Sequence, residues 1–379
     1  MRIVVNGWFW DAPATGSGQY VRRLVTALAA LEPSLELVVL LPYGLPPHAE
    51  RPASNARITL VPHPTRRTNV SKVWWEQITV PGLARRMNAD LLHVPYWAPP
   101  ASRAVPTVVT VHDLIPLLLP AYRGNAMVRL YTALVSATTS RARMVLTDSE
   151  ASRRDILEHL HLPDRTVRAI HLAVDENFTA GPGPRDRQIR ERLRCPPRYS
   201  LYLGGFDVRK NLRALFGTFS TTRRACEDAE LVVAGRLPTS DTAFTPDPRR
   251  LAREATIPEE AVHFLGFVLE EDKPALLRGA RVFLFPSTYE GFGYPPLEAL
   301  ACGTPVVGSD QSSIPEVVGN AGVLLPPQDV QGMAGALIQL LTDDEFHAAL
   351  RSNAVQQAQT FSWKRTAGET LDGYAAALA

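Results

Sequence analysis

The sequence predicts an α/β protein made of two doubly wound domains, and three observations carry that expectation. Short apolar, β-branched runs alternate along the chain with longer stretches whose apolar residues recur at three- and four-residue spacing. Strand and helix in near-regular alternation give parallel sheets covered by helices on both faces. At 379 residues, the chain is longer than one core commonly holds, so two domains are the default. Its composition, 45% hydrophobic and 21% charged, excludes a disordered or fibrous chain.

In the first half the strand candidates are residues 2–6, 37–41, 57–61, 91–94, 107–111 and 144–147, each a short Val-, Ile- or Leu-rich run. In the second half they are 200–204, 231–234, 262–265, 282–285, 305–307 and 322–325. Residues 19–30 and 331–341 show the helical apolar period. Between the two series, residues 179–197 contain AGPGPRDR and then CPP, and their Gly, Pro and charge content predicts a linker. The expected domains are therefore 1–180 and 196–361. In doubly wound sheets ligands sit outside the carboxyl ends of the strands, so the chemistry belongs to the loops just after strands, here facing an interdomain cleft.

Net charge is +2, from 40 basic and 38 acidic residues, which gives no general electrostatic reason to bind nucleic acid. Only four of the basic residues are lysines: Lys72, Lys210, Lys273 and Lys364. Cys195, Cys226 and Cys302 are scattered without a CxxC pair, which points to neither a disulfide framework nor structural zinc. The start, MRIVVNGWFW, reads as a strand and not as a signal peptide. The most apolar segments fall well short of the ~20 residues that span a bilayer. A cytoplasmic location follows as the expectation.

The most informative stretch is VFLFPSTYEGFGYPPLEALACGTP, residues 282–305. An apolar strand ends at Phe285–Pro286, a glycine loop follows, and Pro295 and Pro296 suit the opening of a helix. Glu298 is expected in that helix's first turn. Glu290 and Glu298 then flank a helix N-terminus, whose free N–H groups favour a phosphate. Carboxylates on either side can accept from hydroxyls, which matches a nucleotide sugar: ribose, diphosphate, sugar. The plainer reading is a helix cap and a solvated loop carboxylate.

A second stretch is SLYLGGFDVRKNL, residues 200–212. A strand runs into Gly204–Gly205, then Arg209–Lys210, then Asn211 as an expected N-cap. Two cations at a strand's carboxyl end can neutralise a diphosphate leaving group; otherwise they are solvated charges. A third is Gly16-Ser17-Gly18, between the first strand and its helix, where glycine allows close backbone approach. A fourth is TVVTVHDLIP, residues 107–116, with His112 and Asp113 just after a strand. Asp113 serves either the site or the cap of the next turn.

Residues 282–305 closely resemble the E-x7-E segment of glycosyltransferase family 4, and residues 200–212 resemble the family's G-x-x-x-x-R-K-N string. Members are retaining nucleotide-sugar transferases with the GT-B fold. The resemblance implies that Glu298 holds the donor ribose. It implies that Glu290, with the backbone of Phe292 and Gly293, holds sugar hydroxyls, and that Arg209 and Lys210 contact the diphosphate. Many members carry an arginine where this chain has Gly205, and Arg209 is the residue available to replace it. Gly16 and Gly18 would lie against the donor phosphates and acceptor, and His112 against the transferred sugar. Residues 262–273 resemble the segment whose backbone meets the nucleobase, near Phe267 and Val268, although any buried loop has similar residues. FSWKRTA, residues 361–367, resembles the terminal helix that packs back on the N-terminal domain, with Trp363 as its expected anchor.

The resemblance is closest to mannosyl-type members that use GDP-mannose, although users of UDP-sugars share the core. It implies transfer without a metal ion to a saccharide or glycolipid acceptor in polysaccharide or glycoconjugate synthesis, with closure of the domains over the donor. Two other functions fit the core: a nucleotide-sugar epimerase of GT-B fold, and a non-catalytic scaffold subunit. Trp74–Trp75 with Glu76 reads as core packing or an acceptor pocket. Arg22, Arg23, Arg153 and Arg154 lie on helix-like stretches as solvated faces or as contacts to the inner face of a membrane. No metal-ligand cluster and no oligomeric state can be read from the sequence.

Overall fold

The computed structural model describes residues 1–12, 15–42, 58–65 and 68–379. The chain forms two compact units, Met1–Leu172 with Ser362–Ala379, and Ala173–Phe361. Strands of the first unit are β1 (Arg2–Asn6), β2 (Glu36–Leu41), β3 (Ile58–Pro62), β4 (Leu91–Val94), β5 (Thr107–Thr110), β6 (Met144–Thr147) and β7 (Val167–Ala169). They make one parallel sheet in the order β3-β2-β1-β4-β5-β6-β7. Arg57, expected in the third strand, lies outside the described residues. β7 was not expected. It is a three-residue edge strand whose middle residue, Arg168, is exposed, so it lacks the apolar run that marks a strand buried on both faces.

The second unit holds β8 (Ser200–Leu203), β9 (Leu231–Ala234), β10 (Val262–Gly266), β11 (Val282–Phe285), β12 (Val306–Ser309) and β13 (Gly322–Leu325). All are parallel, in the order β10-β9-β8-β11-β12-β13. The two sheets share one winding, and the first adds an edge strand. Both faces of the second sheet are buried: Tyr202, Val282 and Leu284 belong to one apolar cluster, and Leu201, Leu203, Phe283 and Phe285 to the other. This period of two with no polar face is why β8 and β11 read as continuous apolar runs in the sequence.

The expected linker, residues 179–197, belongs to the second unit. It contains the helix Asp186–Arg192, which packs against the helix Lys273–Gly279. Arg278 Nε and Nη2 donate to the two carboxylate oxygens of Asp186 at 2.7 and 2.6 Å, and Nη1 donates to the Thr179 carbonyl at 3.1 Å. The Gly- and Pro-rich composition is there, but partners distant in sequence fold the segment in. The chain instead crosses between units at Leu172–Ala173 and at Phe361–Ser362.

The terminal helix, Trp363–Leu378, is part of the first unit and packs on the helix Gly16–Leu31 and on β5 and β6. Ser362 caps it by accepting from the Arg365 N–H. Its buried stripe is Thr366, Ala367, Thr370, Gly373, Tyr374 and Ala377. Trp363, the expected anchor, is the first residue of the helix and only half-buried. Anchorage falls to Thr366, whose hydroxyl donates to the His171 carbonyl, and to fully buried Tyr374.

Candidate active site

In each sheet the strand order reverses at one place, between β1 and β4 in the first unit and between β8 and β11 in the second. A crevice forms there outside the carboxyl ends, because the connections leave the sheet in opposite directions. In the second unit, the loop after β8 supplies Arg209 and Lys210 from a single 3₁₀ turn, Val208–Lys210. The loop after β11 supplies Glu290. Lys210 Nζ donates to Glu290 Oε1 at 2.6 Å, and Arg209 Nη1 bonds Glu290 Oε2. Arg209 also reaches the Tyr289 carbonyl at 3.2 Å and Asp207 at 3.2 Å. Its own carbonyl accepts from the Thr288 N–H. The two strand-end loops are thus fastened together by both backbone and charge.

Lys210 and Glu290 are both buried, and the Lys210 ammonium lies 5.2 Å from the centre of the Phe285 ring. Burial alone pushes the Glu290 pKa up, but the charges of Lys210 and Arg209 outweigh it and hold the carboxyl below its ordinary range. The family resemblance implied sugar hydroxyls for Glu290 and a diphosphate for the cations. The structure brings all three into one ion cluster, so none acts independently of the others.

Ser312 and Ser313 hold the Glu290–Phe292 loop from the segment after β12. Ser312 Oγ accepts from the Glu290 N–H at 2.8 Å, and Ser313 Oγ donates to the Glu290 and Phe292 carbonyls at 2.9 and 2.6 Å. Gly293 then starts the helix Tyr294–Ala301 as its N-cap, at φ +118°, a conformation that favours glycine. Phe292 is buried. Glu298 falls in the second turn, not the first, because the helix starts at Tyr294. Its carboxylate is buried, with Oε1 3.8 Å from Lys273 Nζ and Oε2 without a hydrogen-bond partner. Burial raises its pKa to about 7, with Lys273 opposing and Glu270 and Asp175 reinforcing the shift. A carboxylate oxygen of this kind is an acceptor ready for a hydroxyl.

Asn211 stands at the N-cap position of the helix Leu212–Ala225, but its side chain does not cap. It adopts φ +53° and donates to the Pro286 and Pro327 carbonyls at 3.2 and 2.7 Å, joining three strand-end loops. Val268 buries its side chain in the core with Leu276 and Leu277. Beside it Phe267 is exposed, and the Arg236 guanidinium lies 5.1 Å from the centre of its ring.

In the first unit, Gly16 is the first residue of the helix Gly16–Leu31, so Gly16-Ser17-Gly18 forms a helical turn and not an open loop. Thr15 caps it by accepting from the Gly18 N–H at 3.1 Å. Space around Gly16 is open. A Cβ on Gly18 would meet the Ala12 carbonyl oxygen at 2.0 Å, so the chain's own turn already requires glycine there. Pro13 and Ala14 of this stretch lie outside the described residues.

His112 follows β5, and Asp148 follows the neighbouring β6. Their side chains pair at 2.7 Å, His112 Nδ1 to Asp148 Oδ2. Burial lowers the His112 pKa, but Asp148 more than compensates and the net shift is upward. Tyr20 stacks edge-on against the imidazole with ring centres 4.9 Å apart. Behind it runs a buried chain: Tyr20 Oη to Thr110 Oγ1 (2.9 Å), Thr110 Oγ1 to His93 Nε2 (2.9 Å), and His93 Nδ1 to Tyr374 Oη (2.7 Å). Burial lowers the His93 pKa to about 3, so that ring is neutral. Asp113 caps the next turn, accepting from the Ile115 N–H at 2.9 Å.

The Trp74–Trp75 pair divides. Trp75 is fully buried and donates to Asn6 Oδ1 at 2.8 Å, whereas Trp74 is exposed; Glu76 is buried against the Tyr131 hydroxyl. Sequence reasoning missed Asp148, Lys273, Ser312, Ser313 and Arg236. Asp148, directly after an apolar strand, carries the same positional signal as His112 and could have been found. Among the described residues no group of three or more His, Cys, Asp or Glu is placed to hold a metal ion. No helix among them is long and apolar enough to cross a membrane.

Comparison with known proteins bears on the family and the fold. The family model "Glycosyltransferase Family 4" matches residues 14–178, and "Glycosyl transferases group 1" matches residues 197–343. O-antigen chain mannosyltransferase B of Escherichia coli is 31% identical over 269 residues, covering 70% of this chain and 69% of that protein. Serotype-specific mannosyltransferase WbdA of Escherichia coli is 31% identical over 277 residues; the match covers 71% of this chain but only 33% of WbdA. Sucrose-phosphate synthase from Thermosynechococcus elongatus superposes with a TM-score of 0.76 over 99% of this chain and 98% of that one, at 21% identity. With two parallel sheets of the same winding, matching family models and a relative of this identity, the chain is a GT-B protein and belongs to glycosyltransferase family 4.

Proposed function

We propose that the protein moves a mannosyl group from GDP-mannose to a saccharide or glycolipid acceptor, with retention of configuration and without a metal ion, on the cytoplasmic side of the membrane. The observation that carries this reading is the Arg209–Lys210–Glu290 cluster at the β8–β11 switch point. Both E. coli relatives carry mannosyltransferase names, which favours mannose within that reading.

In the proposed reaction Lys210 and Arg209 bind the diphosphate and stabilise the charge that develops as the anomeric carbon–oxygen bond breaks. Arg209 stands in for the arginine expected at Gly205. Glu290 orients the donor sugar with the Phe292 and Gly293 backbone, and Glu298 accepts from the ribose through its unpartnered oxygen. His112, held by Asp148, contacts the transferred sugar. Gly16 and Gly18 lie along the donor phosphates, and the backbone at Val268 meets the base. The acceptor hydroxyl attacks the anomeric carbon on the face the diphosphate leaves. Its proton passes to the departing phosphate oxygen, so no protein nucleophile is needed.

The test is proton NMR of the product formed from GDP-mannose and a mannose-terminated oligosaccharide in EDTA. The expected product is an α-mannoside. A β-mannoside, a reaction that starts only when a divalent ion is added, or transfer only from a UDP-sugar would overturn the corresponding part of the proposal.

A further inference from the structure

One surface of the first unit has no part in the site described above. Helical residues run from Asn69 to Arg86 in three consecutive segments, Asn69–Trp74, Trp75–Thr79 and Val80–Arg86. One side is buried through Trp75, Val80 and Ala84. The other carries Val70, Trp74 and Ile78 at four-residue spacing, 75%, 63% and 53% exposed. A second helix, Ala126–Thr139, buries Thr132, Val135 and Thr139 and leaves Met127 and Leu130 each 66% exposed. The helices are neighbours, since the Tyr131 hydroxyl donates to Glu76 at 2.9 Å and lies 3.4 Å from Lys72 Nζ. Single exposed apolar side chains are ordinary, but five large ones on two adjoining helices mark an interaction surface.

The charges around this surface identify what it fits. Glu76 is the only carboxylate on the first stretch, and it is buried against Lys72 and Tyr131. Residues 114–147 contain no Asp or Glu at all. Arg85, Arg86, Arg123 and Arg129 are exposed and form no ion pair among the described residues. Several exposed arginines elsewhere are neutralised, as in Arg187–Glu191, Arg213–Glu254 and Arg365–Glu369. The whole chain carries only +2, so this excess is local. Tryptophan and aliphatic side chains with unneutralised arginines and no exposed acid match the interface of an anionic bilayer, where apolar groups enter the headgroup–acyl boundary and arginines meet phosphates.

We propose that this two-helix surface docks the protein on an anionic lipid bilayer, with Trp74, Ile78, Met127 and Leu130 inserted and Arg123 and Arg129 on the headgroups. It is distinct from the arginines singled out in the sequence. Of those, Arg153 is engaged by Asp164 and by the Val167 carbonyl. The inference does not depend on the donor or the sugar transferred.

The test is co-sedimentation of the full chain with vesicles of phosphatidylcholine alone and of phosphatidylcholine mixed with phosphatidylglycerol. Binding is expected to the mixed vesicles and to weaken at least tenfold in ~0.5 M salt, where exposed charges are screened. The variants Trp74→Ser/Ile78→Ser and Arg123→Glu/Arg129→Glu should each weaken it at least tenfold. Both should keep wild-type melting and nucleotide affinity, because the replaced side chains are exposed and remote from the donor residues in sequence. No binding, equal binding to neutral vesicles, or undiminished binding by both variants would overturn the proposal. So would a self-association that the variants abolish, which would make a second copy the occupant.

Discussion

The two strand-end sites have the same topology but opposite chemistry. After β8 and β11, in the second unit, Arg209, Lys210 and Glu290 form an ion cluster. After β5 and β6, in the first unit, one titratable pair, His112 and Asp148, rests on a neutral chain of Tyr20, Thr110, His93 and Tyr374. A doubly wound sheet therefore fixes where side chains converge but not what they do. Fixed charge suits a group that must neutralise a diphosphate. A pair whose charge depends on pH suits a contact to the reacting sugar.

The largest effect should come from breaking the charged cluster. Lys210→Ala should lower transfer at least tenfold, about 1.4 kcal/mol in the barrier. Glu290→Ala should lower it as much and also reduce stability, because it leaves Lys210 buried without its carboxylate. Steady-state kinetics with melting curves separates the two effects, and wild-type turnover in either folded variant would sink the assignment.

The first unit should respond less and with a pH signature. The raised His112 pKa means that its stabilising contribution is complete below the ordinary histidine value and is lost as pH rises through the folded value. Asp148→Asn should therefore destabilise more at about pH 5.5 than at about pH 9. Equal loss at both would mean that the pair is not ionic.

The smallest effect in stability belongs to Glu298, and its sign is opposite. Its pKa is raised to about 7, so ionisation destabilises the fold as pH climbs from the ordinary carboxylate range through that value. Glu298→Gln should raise melting by a few degrees near pH 8, leave it unchanged near pH 5, and weaken nucleotide binding. Unchanged melting at both pH values would show that the carboxylate is not desolvated.

Most of the architecture was legible because parallel strands buried on both faces read as apolar runs. β7 was not legible, since an edge strand with exposed Arg168 leaves no such run. The placing of Glu290, Arg209 and Lys210 in strand-end loops was legible because Gly or Asn punctuation follows β8 and β11, whereas Glu298 was expected one helical turn too early. The joining of the first three into one cluster was not legible, because Arg209 and Glu290 are 81 residues apart. The same holds for Tyr374 and His93, 281 residues apart. Asn211 misled for the opposite reason: its local capping preference lost to two carbonyls supplied by other loops.

The most direct test of the central claim, that the charged cluster of the second unit holds a nucleotide diphosphate without metal, is calorimetric titration with GDP and with UDP in EDTA. Wild-type protein should bind GDP more tightly than UDP, and Lys210→Ala should lose at least tenfold in GDP affinity. Absence of binding to either nucleotide, or equal GDP affinity in the folded variant, would contradict it.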